Sequence, residues 1–158
     1  MLRLSKKTDY ALLALQYLAS EAPSGVASAR AIAERFDIPL ELLAKVLQQL
    51  AHHRLVAAHK GMHGGYHLAR PSSAISVADV VDAVDGPVTF TACSPSDTRC
   101  DQFATCTVRD PLWRVRQRLL SVLQAVTLAD MAGGDDGGSP LITVSKGEPG
   151  TGVPVQAR

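Results

Sequence analysis

The sequence predicts a mainly α-helical fold carrying one small β-hairpin, on three observations. Of its 158 residues 46% are hydrophobic but only 4% aromatic, so the core must be Leu, Ala and Val, a mixture that favours helices over a β-sandwich. Apolar residues recur at three- and four-residue spacing in several capped segments. A glycine-rich turn between two short strand-like runs interrupts that pattern once. The length suits one domain with an appended element, and a charged fraction of 20% suits a folded chain. No apolar run approaches the roughly 20 residues of a membrane span. The opening residues lack the apolar stretch of a secretory signal, so a cytoplasmic protein is expected.

Each element follows in order. Ser5 is positioned to cap a helix reaching Ser20, with Ala11, Ala14, Leu15 and Leu18 facing inward. After a turn at Pro23-Ser24-Gly25, Ser28 caps a short helix with Ile32, Ala33 and Phe36 on one face. Phe36-Asp37-Ile38-Pro39 breaks it, and Pro39 suits the first position of the next helix, whose inward stripe is Leu43, Val46, Leu47 and Leu50. Short helix, tight turn and second helix with an apolar seam form a helix-turn-helix. Leu55–Ala58 and Tyr66–Ala69 are strand-like, and the turn between them holds Lys60, Gly61, Gly64 and Gly65. A hairpin directly after the second helix is the wing of a winged helix, and its Lys60 and glycine N–H groups can approach phosphate. Ser76 and Asp79 match a capping box for a helix ending at Asp85-Gly86-Pro87. Asp110-Pro111 is read as the start of a last helix running to about Met131. Along it Leu112, Val115, Leu119, Val122 and Val126 are spaced three, four, three and four residues apart, a heptad seam that calls for a partner helix. The expected organisation is 1–86 as a winged helix-turn-helix unit, 87–109 as a cysteine loop, 110–132 as a dimerisation helix and 133–158 as a disordered tail rich in Gly, Ser, Pro and Asp.

The net charge of +1 conceals an asymmetry. Residues 1–70 hold nine Lys/Arg and five Asp/Glu, whereas the remainder carries an acidic excess, so a polyanion partner belongs to the first half. The three cysteines, Cys93, Cys100 and Cys106, fall in one stretch spaced C-x6-C-x5-C. An odd count among Ser, Pro, Asp, Thr and Gln argues against a disulfide framework and against core packing. Thiolates clustered in an irregular loop suit a soft metal. The absence of a C-x2-4-C knuckle makes an iron–sulfur cluster a better match than zinc, although zinc and metal-free redox thiols remain alternatives. Three thiolates complete neither kind of site, leaving the fourth position to another side chain, a second subunit or an exchangeable ligand. All five histidines (His52, His53, His59, His63 and His67) lie close together, as polar surface residues near phosphate or as a pH- or metal-responsive group. No nucleophile–base pairing or nucleotide motif points to an enzyme.

Several motifs in order resemble the Rrf-type family of iron–sulfur winged-helix transcriptional regulators, whose members include IscR, NsrR and RirA. They are Leu4-Ser5-Lys6-Lys7-Thr8-Asp9-Tyr10-Ala11, Ile38-Pro39-Leu40-Glu41-Leu42-Leu43, Lys60-Gly61 with Gly64-Gly65-Tyr66, Val81-Asp82-Ala83-Val84-Asp85, the cysteine loop, Leu112-Trp113 and Thr127-Leu128-Ala129-Asp130. The resemblance covers residues 1 to about 132. It implies a homodimeric regulator, a repressor by expectation, that binds a palindromic operator in double-stranded DNA and is switched by a labile cluster, 2Fe-2S or 4Fe-4S. It places Cys93, Cys100 and Cys106 as cluster ligands. IscR-like members add a His three residues after the last Cys, where this chain has Arg109. NsrR-like members use an Asp in the first helix, which corresponds to Asp9. For DNA contact it implies Ser28, Pro39, Glu41, Leu42 and Lys45 around the groove-entering helix, and Lys60, Gly61 and Gly64 in the wing. Lys60 stands where IscR-like wings have Arg, a swap that keeps charge but loses bidentate geometry.

Overall fold

The computed structural model describes residues 4–22, 25–61, 64–88, 101–102 and 105–132. Helix α1 spans Lys6–Ser20, α2 Ala29–Phe36 and α3 Leu40–His52. A hairpin of β1 (Val56–His59) and β2 (Gly65–Leu68) follows, then a single 3-10 turn at Ser72–Ala74. Helices α4 (Val77–Asp85), α5 (Arg109–Ala125) and α6 (Leu128–Ala132) complete the order. The expected mainly helical architecture with a hairpin is the one observed, and no helix among the described residues is long and apolar enough to cross a membrane.

Local chemistry explains the helix starts. The Ser5 side chain accepts from the Thr8 N–H, Ser28 from Ala31, and Ser76 from Asp79, whose carboxylate accepts from the Ser76 N–H in a full capping box. Helix α2 ends at Asp37, which takes a left-handed conformation at φ 51. Pro39 sits one position earlier than expected, just outside α3, with its carbonyl accepting from Leu42 and Leu43. The inward faces meet in one core: Ala11, Ala14 and Leu15 of α1, Ile32 of α2, and Leu43, Val46, Leu47 and Leu50 of α3 are all fully buried. No aromatic ring lies in that core among the described residues. Tyr17 and Phe36 pack edge to face at its border, 6.0 Å between centroids.

The strands lie one residue away from their expected positions. Val56 pairs with Leu68 and His59 with Gly65, while Leu55 and Ala69 are joined only by the Ala69 N–H donating to the Leu55 carbonyl. Beyond β2, Ala27 forms a bridge to Tyr66 with bonds of 2.8 and 3.0 Å, which docks the hairpin on the helices. That docking requires Gly65, because a Cβ there would lie 2.5 Å from the Ala27 carbonyl oxygen. Gly65→Ala is therefore expected to cost about 1–3 kcal/mol by forcing backbone apart, read as a lowered thermal midpoint with the helical circular dichroism retained.

Two expectations about the last helix need correction. It begins at Arg109, so Asp110 and Pro111 lie inside its first turn rather than at its cap. It also stops at Ala125 instead of running to Met131. Val126 is extended, its carbonyl accepts from the Val77 N–H, and the Leu128 N–H donates to the Ile75 carbonyl. Thr127 and Asp130 then start α6 by reciprocal side-chain bonds, and Leu128 is fully buried. The seam helix is thus ended by tertiary pairing with the domain it follows. Residues 133–158 lie outside the described residues.

Thr8 is the one buried polar side chain among the described residues. Its hydroxyl donates to the Asp85 carboxylate at 2.7 Å, and the Ser5 N–H donates to the same oxygen at 3.2 Å, joining the start of α1 to the end of α4. Partial burial pushes the Asp85 carboxyl upward, but the bonds from Ser5 and Thr8 and the Lys7 charge outweigh it and hold the group below the ordinary carboxylate range. A lowered value means that this stabilisation is complete above the ordinary range and disappears as pH falls through the depressed value. Thr8→Val should melt lower than the native chain at pH 7, with the gap closing on acidification below the carboxylate range.

Candidate nucleic-acid interface

Helix α3 has two contrasting faces. Leu43, Val46, Leu47 and Leu50 are completely buried, whereas Glu41, Lys45, Gln48 and His52, spaced four, three and four residues apart, are exposed on the opposite side. Such a helix is held rigidly from behind and presents one ridge of charged and amide groups forward. Of these, Glu41 and Lys45 are contact positions implied by the family resemblance and His52 is one of the histidines expected near phosphate; Gln48 carries no sequence-based expectation, although continuing the same periodicity finds it. Leu42, half-buried, and Pro39, exposed, flank its N-terminal end.

Ser28 is exposed at the start of α2, but its hydroxyl already caps the helix through the Ala31 N–H at 3.1 Å. In the hairpin Lys60 and Gly61 are exposed just after β1, and Gly61 adopts φ 135, open to glycine but strained for other residues. Gly64 is half-buried, and its N–H donates to the Gly61 carbonyl at 2.9 Å. Met62 and His63 lie outside the described residues. Among the histidines, His52 and His53 touch edge to face at 5.6 Å. His67 pairs with Ala57, so His59, two residues further along β1, shares its face of the hairpin.

The candidate cluster ligands are not brought together among the described residues. Cys93 and Cys100 lie outside them, Cys106 is half-buried just before α5, and Asp9 is exposed on the first turn of α1. No group of three His, Cys, Asp or Glu side chains there is placed to hold a metal. Arg109, in the place of an IscR-like histidine, opens α5 and pairs with Asp110 at 2.9 Å. The described flanks of the cysteine segment both meet α5. Arg116 stacks on Trp113 at 4.8 Å and donates to the Val88 carbonyl at 2.7 Å, while Cys106 leads directly into α5. Along α5 the seam residues Leu112 and Val115 are exposed, Leu119 and Val122 are half-buried, and no residue of the helix is fully buried. Val126 falls beyond the end of the helix.

Residues 4–134 match the family model Rrf2, described as an iron-dependent transcriptional regulator. The chain belongs to the Rrf2 family. It is 38% identical over 137 residues to the Mycobacterium tuberculosis protein Rv1287, covering 84% of this chain and 83% of that one. It is 34% identical over 136 residues to the HTH-type transcriptional regulator IscR of Yersinia pestis, covering 85% and 82%. Its fold is similar to that of CymR, the global cysteine regulator of B. subtilis, with a TM-score of 0.68 and 27% identity over 86% of this chain and all of that one. As an Rrf2 protein the chain is a DNA-binding transcriptional regulator and not an enzyme. The mainly helical fold with its antiparallel hairpin is the winged helix of the Rrf2 regulators.

Proposed function

We propose that this protein is a cytoplasmic homodimer that binds a palindromic operator, as a repressor, and whose DNA affinity is set by a labile iron–sulfur cluster. The carrying observation is the exposed ridge of α3, backed by a fully buried face and followed by a hairpin with Lys60 near its turn. That ridge fits the major groove, where Glu41 can accept from a cytosine amino group and Lys45 can donate to guanine or phosphate. Pro39 and Leu42 border the same surface. Ser28, Lys60, Gly61 and Gly64 are assigned to the sugar–phosphate backbone, which fixes register without reading sequence.

Cys93, Cys100 and Cys106 would hold the cluster, 2Fe-2S or 4Fe-4S, with Asp9 as candidate fourth ligand. Thiolates suit iron in such a cluster, and a carboxylate is the weaker donor, so this ligand set favours a bond that exchanges easily. When bound, the cluster supplies sensitivity to oxidant, nitric oxide or iron supply. Its consequence for the protein lies in the chain itself: the segment between Val88 and Cys106 joins α4 to the seam helix. Leu112, Val115, Leu119 and Val122 are assigned to the dimer interface. A second reading draws on the similarity to CymR of Staphylococcus aureus, whose structure is known in an oxidized form. In it the same thiols act as a zinc or thiol–disulfide switch.

Anaerobic purification with iron, zinc and sulfide assays distinguishes the two readings. Selection from a random duplex pool, followed by fluorescence anisotropy before and after exposure to air or nitric oxide, tests the switch. Iron with sulfide and an affinity that changes on exposure support the proposal. One equivalent of zinc without sulfide favours the second reading. Duplex affinity unchanged by any treatment sinks both.

A further inference from the structure

A cavity of about 530 Å3 lies between the first turn of α1 and the flank of α3. Lys7 stands on one wall and α3 forms the other, with Lys45, Gln48, Gln49, His52 and His53 at its polar positions and Leu42 and Val46 between them, while α4 contributes Ala83. No carboxylate lines it. The acid closest in effect is Asp85, which feels the Lys7 charge, but its carboxylate is already engaged by the Ser5 N–H and the Thr8 hydroxyl. Asp9 and Glu41 are neighbours along the two helices, yet neither belongs to the lining. The cavity shares Lys45, Gln48 and His52 with the exposed ridge of α3, so the two surfaces are continuous.

Cations, side-chain amides and imidazoles around a concave, acid-free surface are what an anionic oxygen needs: charge to attract it and N–H groups to fix it. The volume exceeds that of a lone anion and admits a sugar–phosphate unit. We propose that this cavity seats a backbone phosphate of duplex DNA beside the groove that α3 enters, with Lys7 as its principal cation. The assignment rests on the DNA-binding reading above and extends the ridge by a contact from Lys7, on a helix outside the helix-turn-helix pair. A phosphate seat positions the protein without reading bases. Lys7 should therefore strengthen binding to every duplex equally, whereas Lys45, on the ridge, should also affect the choice among sequences.

The experiment measures affinity against salt concentration for a selected duplex and a random-sequence duplex of equal length. For Lys7→Ala the slope of log affinity on log salt should become shallower by about 0.9 per subunit on both duplexes, the value of one lost phosphate contact. The affinity ratio between the two duplexes should stay unchanged, and Lys7→Arg should restore the slope. Lys7 is exposed and gives Asp85 only the smallest of its favourable interactions, so the variant is expected to melt close to the native chain. An unchanged slope, or a changed ratio, overturns the proposal. Protection of the native chain from heat by pyrophosphate without DNA, lost in Lys7→Ala, also overturns it by assigning the cavity to a free small anion. If the native chain binds no duplex at low salt, the DNA-binding reading falls and this proposal with it.

Discussion

Val115→Glu is expected to turn the proposed dimer into a monomer and to remove most of the chain's affinity for a selected operator. Helix α5 has 17 residues, none of them fully buried, and Leu112 and Val115 stand 38% and 46% exposed. A helix of this length is marginal in water unless an apolar face is covered. The described part of the same chain leaves Leu112 and Val115 open, and a second copy is the occupant their heptad spacing suits. Across a twofold axis residue 115 would approach its own copy. A glutamate there puts two like charges in an apolar seam, at about 3 kcal/mol or more for each unpaired buried charge. Two such penalties weaken association by roughly 10⁴-fold. A monomer that engages one half-site falls toward non-specific affinity, commonly 10³-fold or more weaker as an order of magnitude. Sedimentation velocity reads the first effect and anisotropy the second. Gln117→Glu, on the opposite side of α5, should change neither. A native chain that sediments as a monomer, or a Val115→Glu chain that remains dimeric, would refute the seam assignment.

What the sequence made legible, and what it hid, divides along the range of the interactions. Ser5, Ser28 and Ser76 each accept a bond from an N–H three residues on, so the starts of α1, α2 and α4 could be read locally. The α3 stripe was equally plain, because its apolar residues repeat within one helix. The end of α5 was hidden, because Val126 leaves the helix to meet Val77, and Leu128 meets Ile75, through pairings that no local pattern encodes. The Thr8–Asp85 bond spans 77 positions and looks in the sequence like two unrelated capping residues. The same limit applies to the candidate interface. Glu41 and Lys45 follow from the family resemblance, whereas Lys7 joins Lys45 only once α1 has packed across α3. The heptad spacing of α5 is visible in the sequence, but only the folded chain shows Leu112 and Val115 exposed along it.

The cysteines carry the other large effect. Replacing Cys93, Cys100 or Cys106 singly with Ala should reduce iron and acid-labile sulfide in anaerobically purified protein to background and remove its visible absorption, while the helical circular dichroism stays native. The fold should survive because the buried core is built from Leu, Ala, Val and Ile, with Thr8 its one polar member and no cysteine among the described core residues. Loss of the cluster should reach DNA through the chain. A bound group can shift an equilibrium only if it favours one arrangement over another. The described flanks of the cysteine segment both meet α5: Val88 accepts the Arg116 bond, and Cys106 lies three residues before Arg109, where α5 begins. Drawing the thiolates together would therefore act between α4 and α5. Helix α4 is in turn bonded to α1 through Asp85 and Thr8, beside Lys7. The expected readout is that all three Cys variants bind the selected duplex alike, with the affinity of the air-treated native protein, and no longer respond to nitric oxide. Asp9→Ala should differ from them, retaining iron at first but losing it faster in air, as a weak fourth ligand requires. Cys variants that keep iron and sulfide, or that still change their affinity on exposure, would break the chain of cause from thiolate to groove.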